Sequence, residues 1–275
     1  MKYKKMIAAA LALATVSING YASTTDIKAA NSQIGIQAIS TNVNYTETGN
    51  GLLGTATGTV DTENGNVPGY NISASVMKDL WLGNDYIEAQ YSHNSGNTTY
   101  VGALQGGTYG SVVGMSSATL LDYSARYGKG MDLSDAAMAT PYIELGHHEW
   151  DRGVNYGETY THNYVGLGVL GQYSPVGKLV FTGNLMVGNT FGSNIDVAAG
   201  PGVGGFSGAL GNASLYKAGL SADYAFTQHF HANIGIDHTS FKYGMSSLYP
   251  VNGLSWEPDS KTSYTTTSIG IGYAF

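Results

Sequence analysis

The stretch YTTTSIGIGYAF, residues 264–275, alternates between two kinds of side chain. One set is larger and ends in aromatics: Thr267, Ile269, Ile271, Tyr273 and Phe275. The other set is small and weakly polar: Ser268, Gly270, Gly272 and Ala274. A period of two indicates a β-strand with one apolar face. An apolar strand at the open edge of a soluble sheet invites aggregation, whereas a closed barrel in a membrane has no edge. The stretch therefore favours a transmembrane β-barrel.

The composition agrees with a sheet that faces lipid on one side and polar matter on the other. Charged residues make up 11% of the chain, against about 25% in ordinary soluble domains. Hydrophobic residues make up 43% while the mean hydropathy is −0.08, so apolar and polar residues are interleaved. The absence of cysteine excludes disulfides and thiolate metal sites. A net charge of −7 argues against nucleic acid as a partner.

The N-terminus has the three parts of a secretory signal peptide. Lys2, Lys4 and Lys5 precede an apolar region of ten residues, 7–16, and the small-x-small sequence Gly20-Tyr21-Ala22 follows. We expect cleavage after Ala22, which divides the chain into a signal peptide, residues 1–22, and a single barrel domain, residues 23–275. No later segment approaches 18 consecutive apolar residues, so no membrane-spanning helix is predicted.

Segments with period two recur along the chain and are separated by turn residues. They predict about ten antiparallel strands, with eight or twelve as the alternatives. The predicted strands cover residues 33–46, 69–77, 84–92, 111–127, 139–151, 158–173, 178–191, 213–226, 230–243 and 264–275. Long loops are predicted at 47–68, 93–110, 192–212 and 244–261, and a longer turn with a short helical piece at 128–138. Short turns at the periplasmic side and long external loops are typical of outer-membrane barrels.

Aromatic residues are predicted to form two belts at the membrane interfaces. The predicted periplasmic belt contains Tyr127, Tyr173, Tyr224, Phe226, Tyr273 and Phe275. The predicted outer belt contains Tyr91, Trp150, Tyr160 and Tyr243.

With its final strand and its strand pattern, the chain resembles the small Gram-negative outer-membrane β-barrels of the OmpA-like or porin-family type, without a C-terminal soluble domain. The resemblance covers residues 23–275. It implies export to the Gram-negative outer membrane and contact with outer-membrane lipid and lipopolysaccharide. It also implies that Ile269, Ile271, Tyr273 and Phe275 form the signal strand that the barrel-assembly machinery reads.

Seven charged residues are predicted to point into the lumen by strand alternation: Glu88, Asp122, Arg126, Glu144, Lys217, Asp223 and Asp237. Charged groups in a medium of low dielectric constant must be paired or hydrated. We interpret them as a network of ion pairs that fills a narrow barrel. The alternative is a narrow, cation-preferring diffusion channel, because five of the seven are acids.

Other candidate sites give weaker patterns. His147 and His148 point to opposite faces of a strand, so they do not form one metal site. His93, Asp151, His162 and His238 are the candidates for a hydrolase that resembles omptins or lipid A deacylases. The glycine-rich run 200–211 precedes no predicted helix, so we expect an external loop and not a phosphate-binding loop. The sequence therefore predicts a structural or surface-interaction protein with no enzymatic activity and no cofactor, and its external loop partner is left open.

Overall fold

The computed structural model describes residues 23–52, 56–103, 107–201, 204–250 and 254–275. The predicted signal peptide therefore lies outside the described residues. The elements are α1 (Thr24–Ala30), β1 (Gln33–Asn50), β2 (Thr57–Lys78), β3 (Asp85–Gly102), β4 (Val112–Lys129), β5 (Met131–Ser134), β6 (Ala137–Arg152), β7 (Glu158–Val176), β8 (Leu179–Val197), β9 (Phe206–Ala209), β10 (Ser214–Ala225), β11 (Phe230–Tyr243) and β12 (Asp259–Ala274).

Ten of these strands form a closed antiparallel barrel, as the alternation predicts. Its order is β1-β2-β3-β4-β6-β7-β8-β10-β11-β12, and β12 pairs with β1 to complete the ring. The short strands β5 and β9 add to β6 and β8 outside the ring. We call the end that carries α1 and Phe275 the helix end, and the opposite end, with residues 51–52, 244–250 and 254–258, the loop end.

The strands are strongly staggered around the ring. The stagger can be followed by stepping from each residue to its paired residue on the next strand. Starting at Tyr273 on β12, the steps reach Ile34, Ala74, Ala89, Ala125, Leu145, Val165, Asn189 and Ser214. When the β10–β11 register is continued by one residue to Lys242, the path returns to β12 at Lys261, twelve residues from its start. Such a stagger requires tilted strands, at roughly 35–45° to the barrel axis.

The final strand has the two faces that its sequence predicts. Ile269 and Ile271 are 64% and 56% exposed on the outer surface, and Tyr273 and Phe275 follow them there. The set with Ser268 and Gly270 faces the lumen, and Ser268 lines the central cavity described below. The same alternation places Ile34 and Ile36 outward on the neighbouring strand β1.

Several strands extend much further towards the loop end than predicted. β2 begins at Thr57, although residues 47–68 are predicted as a loop. β3 continues to Gly102, although residues 93–110 are predicted as a loop. The segment predicted to hold a helical piece, 128–138, instead contains β5, which pairs with β6, and the glycine-rich run 200–211 contains β9. These segments lack apolar alternation because neither of their faces has to meet lipid, so their pattern resembles that of loops.

The predicted outer aromatic belt is wrong for three of its four members. Trp150, Tyr160 and Tyr243 are buried inside the barrel. Tyr91 is exposed on the outer surface as predicted, and Tyr70, Tyr123 and Tyr216 are exposed strand residues as well. Since Glu144 and His148 face inward, the same strand parity also directs Trp150 inward.

A short helix fills the helix end of the barrel. Ser23 is the N-cap of α1, and its side-chain oxygen accepts a hydrogen bond from the Thr25 N–H. Asp26 in the first turn and Lys28 in the last turn complement the helix dipole. Ile27 is completely buried, which stabilises this position by about 1.5–3 kcal/mol. No helix among the described residues is long and apolar enough to cross a membrane.

Candidate functional site

The lumen is the candidate functional site, and polar side chains bridge it at four levels. At the helix end, the amides of Asn31 and Gln172 form two reciprocal hydrogen bonds of 2.7 and 2.9 Å. Asn31 immediately follows α1, whereas Gln172 belongs to β7, which lies five strands from β1 in the ring of ten. This neutral pair therefore joins opposite walls directly above the helix.

The second level is the central charge network, formed by Glu88, Arg126, Glu144 and Lys217. Arg126 Nη1 lies 2.9 Å from Glu88 Oε2, and its Nε donates to Glu144. Lys217 Nζ lies 2.7 Å from Glu144 Oε1. β3 and β10, which carry Glu88 and Lys217, are five strands apart in the ring, so the network crosses the full lumen. Its two acids and two bases balance, which is the condition for keeping charges out of bulk water.

Two tyrosines support the central charge network, and two glycines make room for them. Tyr164 donates a 2.8 Å hydrogen bond to Glu144 and accepts one of 2.7 Å from Lys217. Tyr142 donates to Asn184 at 2.6 Å. A Cβ atom at Gly146 would lie 2.3 Å from the Tyr164 ring, and one at Gly168 would lie 2.4 Å from the Tyr142 ring. The glycines thus let both rings lie against the wall beside the ion pairs.

The third level lies nearer the loop end and consists of histidines and tyrosines. His148 Nδ1 is 2.7 Å from Asp122 Oδ1, and its Nε2 is 3.1 Å from the Tyr264 hydroxyl. His148 is on β6 and Tyr264 on β12, again five strands apart. His162 forms a hydrogen bond with the Tyr243 hydroxyl, and the Phe241 ring packs edge-on against the His162 ring.

The fourth level is centred on Arg152, which is buried at the loop end. Its guanidinium lies 2.9 Å from Asp61, 2.8 Å from Glu63 and 3.1 Å from Glu158. It also stacks over the Tyr45 ring, with 4.5 Å between the guanidinium carbon and the ring centroid. A single cation therefore holds three carboxylates from two different strands together.

The Arg152 level extends to a loop residue, Glu257. The Tyr45 and Tyr160 hydroxyls lie 3.0 Å apart and join β1 to β7 across the ring, and both donate to Glu257 Oε1. Burial is the main cause that raises the pKa of Glu257 well above its ordinary value, and the nearby carboxylates of Glu47 and Glu158 add to it. A neutral carboxylic acid is the form that suits this position.

Between the helix-end and loop-end levels lies a polar cavity of about 320 Å³. The other three acids predicted to face the lumen line it together with Glu88, Arg126 and Lys217. Asp122 pairs with His148 as described, Asp223 Oδ1 is 2.5 Å from His231 Nδ1, and Asp237 lies beside Gly219. Six of the seven predicted residues therefore line one cavity, and the seventh, Glu144, is completely buried. Glu144 joins Glu88, Arg126 and Lys217 in one continuous network.

The residues considered for a hydrolase or a metal site do not come together. His93 stacks on Tyr70 on the outer face, Asp151 is exposed, and His238 bonds to Thr265, whereas His162 is buried in the lumen. His147 stacks on Tyr123, on the opposite face of β6 from His148. Within the described ranges, no group of three or more histidine and acidic side chains is arranged to hold a metal ion.

Sequence reasoning missed the Arg152 level and the Asn31–Gln172 pair. Asp61 and Glu63 lie in a segment predicted as a loop, although their alternation with Thr62 and Asn64 fits a strand. Asn31 and Gln172 are 141 residues apart, and only the barrel closure shows that they face each other. The alternation along β6 is a second available signal, since it directs Trp150 and Arg152 into the lumen with Glu144 and His148.

Comparisons with known proteins support the fold alone. No protein-family model matches the chain, and no curated protein sequence matches it significantly. Among solved structures, the outer membrane protease OmpT from Escherichia coli has a TM-score of 0.59 at 11% identity, over 89% of this chain and 97% of OmpT. The outer membrane protein OprG from Pseudomonas aeruginosa is also similar, at 15% identity over 89% of this chain and 98% of OprG, with a TM-score of 0.36. The fold is thus a closed antiparallel β-barrel like that of OmpT.

Proposed function

We propose that this protein is a Gram-negative outer-membrane barrel with a closed lumen, and that it acts as a structural and surface-interaction component of the envelope. It is neither a channel nor an enzyme in this proposal. The observation that carries the proposal is the set of four polar levels, each of which joins opposite sides of the ring. The outward face is apolar, which suits lipid.

The proposal includes export and orientation. Residues 1–22 act as a signal peptide that is removed, and cleavage before Ser23 keeps the N-cap of α1 intact. The helix end faces the periplasm, and the loop end faces outward and is available to a partner of still undefined chemistry. The OmpA-like assignment and the reading of the β12 end by the assembly machinery belong to the same proposal. Both remain consistent with the exposed row from Ile269 to Phe275.

A narrow, cation-preferring channel is the second candidate function, because the cavity contains more acids than bases. Conductance of the refolded protein in planar bilayers separates the two functions. Heat-modifiable migration on gels must first show that the barrel is folded. We expect no stable conductance steps from the folded barrel. Cation-selective steps that shrink in Glu144→Gln would instead favour the channel.

A further inference from the structure

Two lysines lie side by side on the outer surface near the loop end. Lys242 on β11 and Lys261 on β12 are direct partners in the antiparallel register, and both are exposed. Side chains that are directly opposite on neighbouring strands start roughly 5 Å apart at Cβ, and like charges in this position are destabilising. Interactions within the barrel therefore do not explain why two lysines lie opposite each other here.

Neither of the two lysines has a carboxylate in ion-pair contact. Neither lysine forms an ion pair with any acid in the described ranges, and the undescribed residues contain no aspartate or glutamate. The nearest acid along β12, Asp259, instead accepts a 2.9 Å hydrogen bond from the Met245 N–H. Because Asp259 also faces outward two residues from Lys261, the lysine pair keeps a local excess of one positive charge, which an external anion would neutralise.

The surface below the lysines changes from hydroxyl-bearing to apolar. Ser240 pairs with Ser263, and below them His238 Nδ1 lies 3.0 Å from Thr265 Oγ1. Next comes an outward groove of about 750 Å³ on β8, β10, β11, β12 and β1. Its large side chains are Phe181, Leu220, Ile234, Ile236 and Ile269.

The height of the lysines matches the lipid headgroups. Lys261 is twelve residues from Tyr273 on β12, which corresponds to about 30 Å along the axis at about 3.3 Å per residue and a tilt of about 40°. The apolar band of transmembrane barrels is about 25 Å tall. With Tyr273 at one interface, the lysines lie just beyond the other, and the groove lies within the band.

We propose that Lys242 and Lys261 bind the phosphate of a membrane lipid whose acyl chains lie in the groove below. This site rests on the proposed outer-membrane function. The two ammonium groups neutralise the phosphate, the hydroxyls of Ser240 and Ser263 offer hydrogen bonds to the headgroup, and the groove buries hydrocarbon. The outward acids of β6, Glu149 and Asp151, lie on another side of the barrel, so the site is confined to the β11–β12 side.

The test measures binding of lipid A to the folded, full-length mature protein in neutral detergent, by isothermal titration calorimetry. The ligands are diphosphorylated lipid A, its dephosphorylated form and inorganic phosphate alone. We expect K242Q/K261Q to bind diphosphorylated lipid A about thirtyfold more weakly than wild type, which corresponds to about 1 kcal/mol for each lysine. Each single variant should lose about fivefold. The matched control K78Q/K129Q removes two exposed lysines at the helix end and should change affinity less than twofold.

The two comparison ligands identify the source of the phosphate, and stability measurements show whether the variants are folded. Dephosphorylated lipid A and inorganic phosphate should both bind much more weakly than diphosphorylated lipid A. Equal binding of both lipid forms, or equal affinity of the two double variants, would overturn the site. In lipid-free detergent K242Q/K261Q should be at least as stable as wild type, because the repulsion is removed. Failure of the wild type to show heat-modifiable migration would count against the proposed function, not against the lysine site.

Discussion

The two ends of the lumen are closed by different chemistry. At the helix end, α1 and the reciprocal amides of Asn31 and Gln172 form a neutral closure around the buried Ile27. At the loop end, Arg152 joins Asp61, Glu63 and Glu158, and Glu257 completes the cluster from a loop. The amide pair carries no charge, whereas the Arg152 cluster depends on ion pairs.

This difference indicates which end of the barrel has a stability that depends on pH and on single charged residues. A neutral hydrogen bond contributes about 1 kcal/mol and does not depend on pH. A buried ion cluster is strongly destabilised when one partner is lost, because the remaining charges stay out of water. The loop end should therefore be the more fragile and the more responsive end, although both are equally well buried.

Loss of Arg152 should have the largest effect. Arg152→Met leaves three buried carboxylates without their cation, so we expect the free energy of unfolding to fall by about 3–5 kcal/mol. Urea unfolding of the refolded protein in detergent, followed by heat-modifiable migration, measures this loss. Lys129→Met, at an exposed position of the helix end, serves as the control and should change stability little. An Arg152→Met barrel as stable as the control would show that the cluster is solvated.

Loss of the amide pair should have an intermediate effect. Gln172→Ala leaves the buried Asn31 amide without this partner, which should cost about 1–3 kcal/mol in the same unfolding assay. Because no group in the pair ionises, the loss should be the same at pH 5 and pH 9. A loss that varies with pH would mean that the helix end also contains a coupled charge.

A change of pH should have the smallest effect, confined to the loop end. Since the pKa of Glu257 is raised in the packed loop, the packed state is fully favoured below the ordinary carboxyl pKa and loses stability as the pH rises through the raised value. In a Trp81→Phe background the remaining tryptophans are the buried Trp150 and Trp256, which is next to Glu257. Acrylamide quenching of the accessible fraction, Trp256, should therefore increase with pH.

Glu257→Gln provides the control for this pH response. The neutral amide resembles the protonated acid in shape, so quenching of Trp256 should no longer depend on pH. A response that persists in Glu257→Gln would assign it to another group of the cluster, such as Glu47.

The parts of the barrel that meet lipid could be predicted from the sequence. Alternation around Ile269 and Ile271 specifies which face is outward, and the same rule places Glu88, Arg126, Glu144 and Lys217 towards the lumen. The rule works there because one face of each strand must be apolar. These four residues form one network only because of the strand register and the closing of the barrel. Neither can be read from the sequence of a single strand.

The parts beyond the lipid could not be predicted in the same way. The strand from Thr57 to Pro68 is polar on its outer face, so its sequence resembles a loop. Helix α1 has only seven residues, too few for a helical period to be recognised. The partners of Arg152 on β2 lie 89 and 91 residues away, so only the folded barrel brings the acids to the base.

Accessibility of the cavity tests the closed lumen most directly, and the cysteine-free sequence makes it simple to measure. Ser124→Cys places a thiol in the cavity between the two closures, and Ser95→Cys places one at an exposed position of β3. With a bulky, membrane-impermeant maleimide, we predict rapid labelling at position 95 and none at position 124 until the barrel is unfolded. Labelling of both positions at similar rates in the folded protein would contradict the closed lumen.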